Sequence, residues 1–387
     1  MIRRAVAAGL LAVLVAGCGT QAASVAPPSI VVQTAPLATS LVTTQGAWAI
    51  AVMGGSAASE NNFWQLFVRP AGATRWSLVT PPAVADNGGL VAAGGPGGAS
   101  MLVGFRPSQG LTFSPLATSS DTGRNWAPGL LDAALADVPD ALAVSASGPI
   151  LALLGDGSIE EAQTAAAAAA GQWSQLTTLA ALAAPAPGRS CGLAALNAVS
   201  FGHNDTPMAA GSCLRRGVAG VFADSGGTWQ AAGPALPAGF GGDQVQVLGL
   251  AQMPGGDAAL LLAGKDLLAA WRDGTRWTVS APVPAAGGIT ASGFGPGGSL
   301  WVLLGGGRAE TIAGVGGSWL ALPPAPAGTG TLAPAASTSG AVSRSAGAVG
   351  YDALAVSGSV LTVWRLASTG WAKVQVIHVP IVYGSSS

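Results

Sequence analysis

The chain has 387 residues and a formal net charge of −1, and only 9% of its residues are charged. That balance leaves no basic field with which to hold nucleic acid or an anionic membrane surface. Its 50% apolar content is broken throughout by 58 glycines and 26 prolines, so beyond the N-terminal run no segment reads as a membrane-spanning helix.

Arg3 and Arg4 open the chain, and Ala5 to Ala16 follow as an apolar run of about a dozen residues, too short to span a bilayer. The run ends in Val15-Ala16-Gly17-Cys18, which resembles the lipobox of bacterial lipoproteins. The resemblance implies that residues 1–17 are a lipoprotein signal peptide and that Cys18 is lipidated. The product is then held on the extracytoplasmic face of the cell membrane, each buried methylene contributing about 0.8 kcal/mol. Residues 18–37 read as the lipidated Cys and a flexible tether; Ile30-Val31-Val32 is alternatively a short strand added to the last repeat. Cys191 and Cys213 then remain as an even pair in an oxidising compartment and in one repeat unit, and a disulfide is expected between them.

From residue 38 to 387 one unit recurs. Trp76, Trp126, Trp173, Trp229, Trp277, Trp319 and Trp371 follow each other at steps of 50, 47, 56, 48, 42 and 52 residues. A period near fifty is the length of one four-stranded blade, so the expected fold is all-β, a seven-bladed β-propeller of antiparallel blades, with six or eight blades as alternatives. The units run roughly over 38–80, 81–132, 133–178, 179–235, 236–282, 283–325 and 326–387. In the fifth, the apolar runs Val245–Ala251, Ala258–Ala263, Leu267–Trp271 and Trp277–Val279 are separated by Gly, Pro and Asp, which is strand punctuation. The Ala165–Ala170 run is too short to nucleate a helix by itself and is read as a loop in the third unit.

The turn before the tryptophan carries the sharpest motif. Ser119-Ser120-Asp121-Thr122-Gly123-Arg124-Asn125-Trp126 resembles the Asp-box, and Asp224-Ser225-Gly226-Gly227-Thr228-Trp229 matches its last six positions. The resemblance, to the sialidase-like superfamily and to photosystem II assembly-factor-like repeats, implies structural roles for Asp121, Gly123, Trp126, Asp224, Gly226 and Trp229. Asp accepts backbone N–H bonds within the loop, Gly takes the positive-φ position and Trp drives an apolar face between sheets.

Catalysis is not expected. A sialidase needs an arginine triad, a Tyr–Glu pair and an acid. The chain offers Phe67-Val68-Arg69-Pro70 as a loose echo of the arginine motif, Tyr351-Asp352, Tyr383 and four glutamates that make no convincing pair. Two histidines are too few for most metal sites, and His203-Asn204-Asp205 reads as a loop between the first two strands of the fourth unit. No metal or cofactor is expected. The turns between second and third strands gather scarce charges: Glu60, Arg106, Asp156, Arg215, Arg216, Lys265, Asp266 and Arg308, joined by Asp132, Asp137 and Asp140 from a connection. Arg106, Arg215, Arg216, Lys265, Asp266 and Arg308 are therefore the candidate binding rim. The expected role is that of a membrane-anchored monomer whose propeller binds or scaffolds an envelope protein or glycan. A sialidase-like hydrolase and an assembly factor for a membrane complex are the alternatives.

Overall fold

The computed structural model describes residues 38–54, 62–81, 89–94, 101–105, 116–129, 139–253, 256–295, 298–334 and 350–380. The expected signal peptide, Cys18, the tether with Ile30–Val32, and Glu60, Arg106, Asp132 and Asp137 lie outside them. Among the described residues the strands fall into seven consecutive antiparallel meanders of four. The first is β1 (Ala38–Thr43), β2 (Gly46–Gly54), β3 (Asn62–Pro70) and β4 (Ser77–Leu78); the second is β5 (Leu90–Gly94), β6 (Met101–Phe105), β7 (Leu116–Ser119) and β8 (Ala127–Gly129). The third is β9 (Ala141–Val144), β10 (Ile150–Leu153), β11 (Ser158–Ala162) and β12 (Ser174–Thr178); the fourth is β13 (Leu193–Phe201), β14 (Pro207–Cys213), β15 (Gly220–Asp224) and β16 (Trp229–Ala231). The fifth is β17 (Val245–Met253), β18 (Gly256–Ala263), β19 (Asp266–Asp273) and β20 (Arg276–Val279), with β21 (Val283–Pro284) pairing on β19. The sixth is β22 (Ile289–Phe294), β23 (Leu300–Leu304), β24 (Ala309–Ile312) and β25 (Leu320–Ala321); the seventh is β26 (Thr329–Pro334), β27 (Tyr351–Ser357), β28 (Val360–Ala367) and β29 (Gly370–His378). Parallel pairing of β1 with β22 (Ala38↔Ser292, Ser40↔Gly293) joins the first and sixth into one eight-stranded sheet.

The meanders pack face to face, which is why their strands are apolar on both sides rather than alternating. In β18 six of eight residues are buried, and β23 is buried throughout. Each hydrophobic cluster draws on two meanders. Trp48, Leu66 and Val68 of the first meet Leu90, Met101 and Val103 of the second. Further clusters join second to third, third to fourth, fourth to fifth, fifth to sixth and sixth to seventh. One more sets Ala47, Met53, Phe67 and Trp76 of the first against Leu354, Leu361 and Val363 of the seventh, so the packing returns to its start.

The recurring tryptophans stitch these interfaces with hydrogen bonds. Nε1–H of Trp126, Trp277, Trp319 and Trp371 donates to the carbonyls of Val79, Ala232, Ala281 and Pro323, at 2.9, 2.6, 3.0 and 3.1 Å. Each acceptor lies just past the last strand of the preceding meander. The indole thus buries area between sheets and finds a partner for its one polar atom.

Two features depart from the sequence expectations. The Ala165–Ala170 run is not a loop: Ala165–Ala169 form helix α1, because Thr164 Oγ1 accepts from Ala167 N–H at 3.0 Å and Trp173 Nε1 donates to Ala168 O at 3.2 Å. Cap and indole supply what a short alanine run lacks alone. The fourth unit also begins with two unanticipated helices, α2 (Leu179–Ala183) and α3 (Ala186–Cys191). The Cys191–Cys213 disulfide, with Cα atoms 5.2 Å apart, ties α3 to the end of β14, and Leu182 and both cysteines are buried in the cluster between the third and fourth meanders. Reduction frees a loop of 22 residues and is expected to lower the unfolding free energy by about 3 kcal/mol. Urea unfolding with and without dithiothreitol measures this, and coincident curves would contradict it.

Candidate functional site

Each first strand starts, and each second strand ends, on one common face, here called the mouth. Turns between first and second strands, and between third and fourth, lie on the opposite face. A cavity of about 380 Å³ opens at the mouth where the first and seventh meanders meet. Thr39, Ile50, Val52, Gly54 and Trp64 line it from the first, Gly328, Gly330, Val356 and Gly358 from the seventh, and Thr290 from the sixth. This lining carries no ionisable side chain.

Local chemistry explains the walls. Gly54 N–H donates to Gly358 O at 3.0 Å, one backbone bond across the seam. Gly328 sits at φ +78°, and a Cβ there would meet Val356 O at 2.8 Å, so only glycine fits. At Gly330 a Cβ would touch nothing within 4 Å. The two threonine hydroxyls are already engaged. Thr39 Oγ1 shares a 2.6 Å hydrogen bond with Thr331 Oγ1, and Thr290 Oγ1 donates to Leu303 O at 3.2 Å. Val52 is 39% exposed, an apolar surface waiting at the lip.

The described rim residues stand on mouth-side turns, as the strand pattern places them: Asp156 after β10, Arg215 and Arg216 after β14, Lys265 and Asp266 at the β18–β19 turn, Arg308 before β24. Several are held by backbone. Arg216 Nη1 donates to Gly242 O at 2.9 Å, Arg215 Nη1 to Ser190 O at 3.4 Å, and Arg308 Nη2 to Pro284 O. Hydrogen bonds from the Ser158 hydroxyl and N–H hold Asp156 below the ordinary carboxylate range.

On the opposite face the same seam is shut by charge. Asp352, fully buried, accepts from Arg69 Nη1 (2.8 Å), Arg365 Nε (2.8 Å) and Nη2 (3.1 Å), and Trp76 Nε1 (2.8 Å). Arg365 Nη2 also donates to Thr74 O at 3.1 Å, and the Gln375 amide pairs with the backbone N–H and C=O of Trp76, both at 2.8 Å. Arg69 lies over the Trp76 ring, 5.4 Å from its centroid. Burial lowers the Arg69 pKa, opposed by Asp352, while hydrogen bonding to Asp352 raises that of Arg365. Sequence reasoning met Arg69 and Tyr351-Asp352 only as fragments of a sialidase site. The structure does bring Arg69 and Asp352 together, but inside the protein. Tyr351 is buried too, its phenol pushed up to about 12 by burial and bonded to Thr311 Oγ1 at 2.5 Å.

The two aspartate loops lie on this opposite face. Asp121 Oδ1 accepts from Asn125 N–H (2.9 Å) and the Ser119 hydroxyl (2.9 Å), and Oδ2 accepts from Asn125 Nδ2 (2.6 Å); the Asn125 bonds hold its pKa down. Gly123, at φ +77°, receives no side chain because a Cβ would stand 2.7 Å from that of Val79. In the second loop Asp224 Oδ1 accepts from Gly227 N–H at 2.9 Å, with Gly226 at φ +63° and Trp229 half-buried.

A further polar row lies between the fourth and fifth meanders. Gln252, Asp257 and Arg272 are direct cross-strand neighbours on β17, β18 and β19. Gln252 Nε2 donates to Gly202 O (3.1 Å), beside the His203–Asp205 turn. Asp257, 5% exposed and 3.6 Å from Arg272, is pushed up to about 6 by burial, against the pull of Arg272 and His203.

No protein-family model matches the chain, and no curated protein does. Among solved structures it is similar to YCF48 bound to D1 peptide (14% identity, 74% of this chain and 82% of that one, TM-score 0.42). It is also similar to YCF48 from Cyanidioschyzon merolae (16%, 74% and 86%, 0.43) and to a 6-phosphogluconolactonase candidate from Bacteroides fragilis (11%, 87% and 96%, 0.50). The last is a likeness of fold. The successive four-stranded antiparallel sheets, packed face to face, make the chain all-β and of propeller type.

Two outcomes follow from the buried charges. Asp352→Asn leaves two guanidinium groups without their counter-charge and is expected to cost about 3–5 kcal/mol in urea unfolding; a loss under 1 kcal/mol would contradict the assignment. For Asp257, the native carboxyl holds its proton up to about pH 6, whereas the unfolded chain releases it near 4. The native state therefore binds more protons between those values, and stability falls as pH rises from 4 through 6. Relative to Asp257→Asn, the unaltered protein should lose on the order of 2 kcal/mol across that window; parallel profiles would refute it.

Proposed function

We propose that the seven meanders are the blades of a closed β-propeller, tethered through lipidated Cys18 to the extracytoplasmic face of the membrane. Its mouth binds or scaffolds a protein or glycan of the envelope without catalysis. The observation that carries this reading is the seam cavity. Its walls are an indole, aliphatic side chains and glycine backbone, which supply shape and burial rather than a nucleophile or a general acid. The rim turns around the mouth supply the mixed-sign charges that orient a partner. The last-to-first hydrophobic cluster and the Asp352 cluster support closure of the ring.

The reading makes three linked predictions. Labelled palmitate should enter the protein and be lost in Cys18→Ser. Crosslinked co-purification from native membranes should yield a partner that is lost in Gly330→Leu, a substitution at a cavity-lining position where a Cβ has nothing within 4 Å. Joint reversal of Arg215, Arg216 and Arg308 should weaken capture at least several-fold. Turnover of a fluorogenic sialoside abolished by a mouth substitution would replace this reading with the hydrolase.

A further inference from the structure

Three mouth-side loops are tied together at the fourth meander. The Cys191–Cys213 bridge joins the end of α3 to the end of β14. Leu214 N–H donates to Gly192 O (2.9 Å) and Arg215 N–H to Cys191 O (3.0 Å), so the turn after β14 lies along the exit of α3. Gly217 N–H donates to Asp243 O (2.8 Å), which fastens the same turn to the loop before β17. These segments, residues 186–192, 213–217 and 240–244, carry three exposed arginines, Arg189, Arg215 and Arg216, and a single acid, Asp243. Among the described residues none of the three arginines forms an ion pair. In a chain of net charge −1 with 9% charged residues, this is a local excess of positive charge.

Two of the guanidinium groups are also oriented. Arg215 Nη1 donates to Ser190 O (3.4 Å) and Arg216 Nη1 to Gly242 O (2.9 Å), so each planar fork is pinned to backbone at one nitrogen and keeps further N–H donors for a ligand. A carboxylate fits such a fork, since it accepts two parallel hydrogen bonds. An exposed ion pair is ordinarily weak because two long side chains must be ordered to make it. Here the backbone bonds do part of that ordering in advance. Leu214, 55% exposed, stands next in sequence to the two forks and offers a contact to an apolar side chain among the acids. A lipid surface suits the corner less. Fluid headgroups gain nothing from a fixed fork, and a net charge of −1 draws no protein to an anionic bilayer.

We propose that this corner, Arg215 and Arg216 with Leu214 and Arg189, binds an acidic segment of a protein partner through its carboxylates. The inference rests on the mouth being the binding face, and it names the chemistry of what is bound there. The test follows the fluorescence anisotropy of two labelled octapeptides added to the full chain, one of glutamates around a central leucine and the other its glutamine counterpart. The glutamate peptide should bind about ten-fold more tightly than the glutamine peptide, and less tightly as salt is raised. Arg215→Gln combined with Arg216→Gln should weaken its binding about five-fold. Arg276→Gln, which removes an exposed arginine from the opposite face, should leave it unchanged. Equal binding of the two peptides, or equal losses in the two variants, would overturn the proposal. So would failure of the glutamate peptide to bind while phosphatidylglycerol vesicles bind and the double variant abolishes that binding, which would give the corner to lipid. If the glutamate peptide fails but Gly330→Leu still abolishes partner capture, the mouth reading stands and only the acidic-segment chemistry falls.

Discussion

Sheets packed in succession along one chain, the last also packed against the first, have a single junction that the backbone does not cross. Every other interface is held by covalent continuity as well as by contact. At the junction between the first and seventh meanders, contact is all there is. The protein meets this with a buried polar cluster, Asp352 between Arg69, Arg365 and the Trp76 indole. A buried carboxylate is costly unless its lone pairs are filled. Four donor contacts from three side chains fill them, and two of those side chains come from the opposite end of the sequence. The arrangement discriminates strongly: only the correct pairing of ends satisfies every group, and any other leaves a bare charge inside.

The same junction is treated in opposite ways at its two ends. Away from the mouth it is charged and buried. At the mouth it is neutral, walled by glycine and bridged by the Gly54–Gly358 backbone bond and the Thr39–Thr331 hydroxyl pair. Strength at one end allows a gap at the other. Glycine leaves backbone rather than side chains along that gap, beside Trp64. The parallel pairing of β1 with β22 belongs to the same picture, since it draws the first strand toward the sixth meander over the seventh.

The strands were legible because near-continuous apolar runs between Gly, Pro and Asp have few other solutions, and the fifth meander extends its expected runs by only one or two residues at most ends. The tryptophan beat was legible as spacing, but its hydrogen bonds to the preceding meander were not, because the acceptors are carbonyls without a residue signature. Helix α1 escaped because its stability comes from Thr164 and Trp173 rather than from the alanines. The Asp352 cluster escaped for a different reason. Arg69 and Asp352 are 283 residues apart, and each alone looks like an ordinary strand-end charge. The cavity was the least visible of all, since ten short-range-unremarkable residues from three meanders make it only after the ends have met.

The indole bonds also give the architecture a sense of rotation. Each donor sits in one repeat and each acceptor in the one before it, so neighbouring repeats are related as reader to read. Among these four, a repeat copied from one tryptophan to the next would inherit a donor at one end and present an acceptor at the other, whereas Trp173 donates to Ala168 of its own repeat and Trp76 to Asp352. Within that run, gain or loss of a whole unit keeps the donor-to-acceptor relay, whereas reversing or transposing half a unit does not.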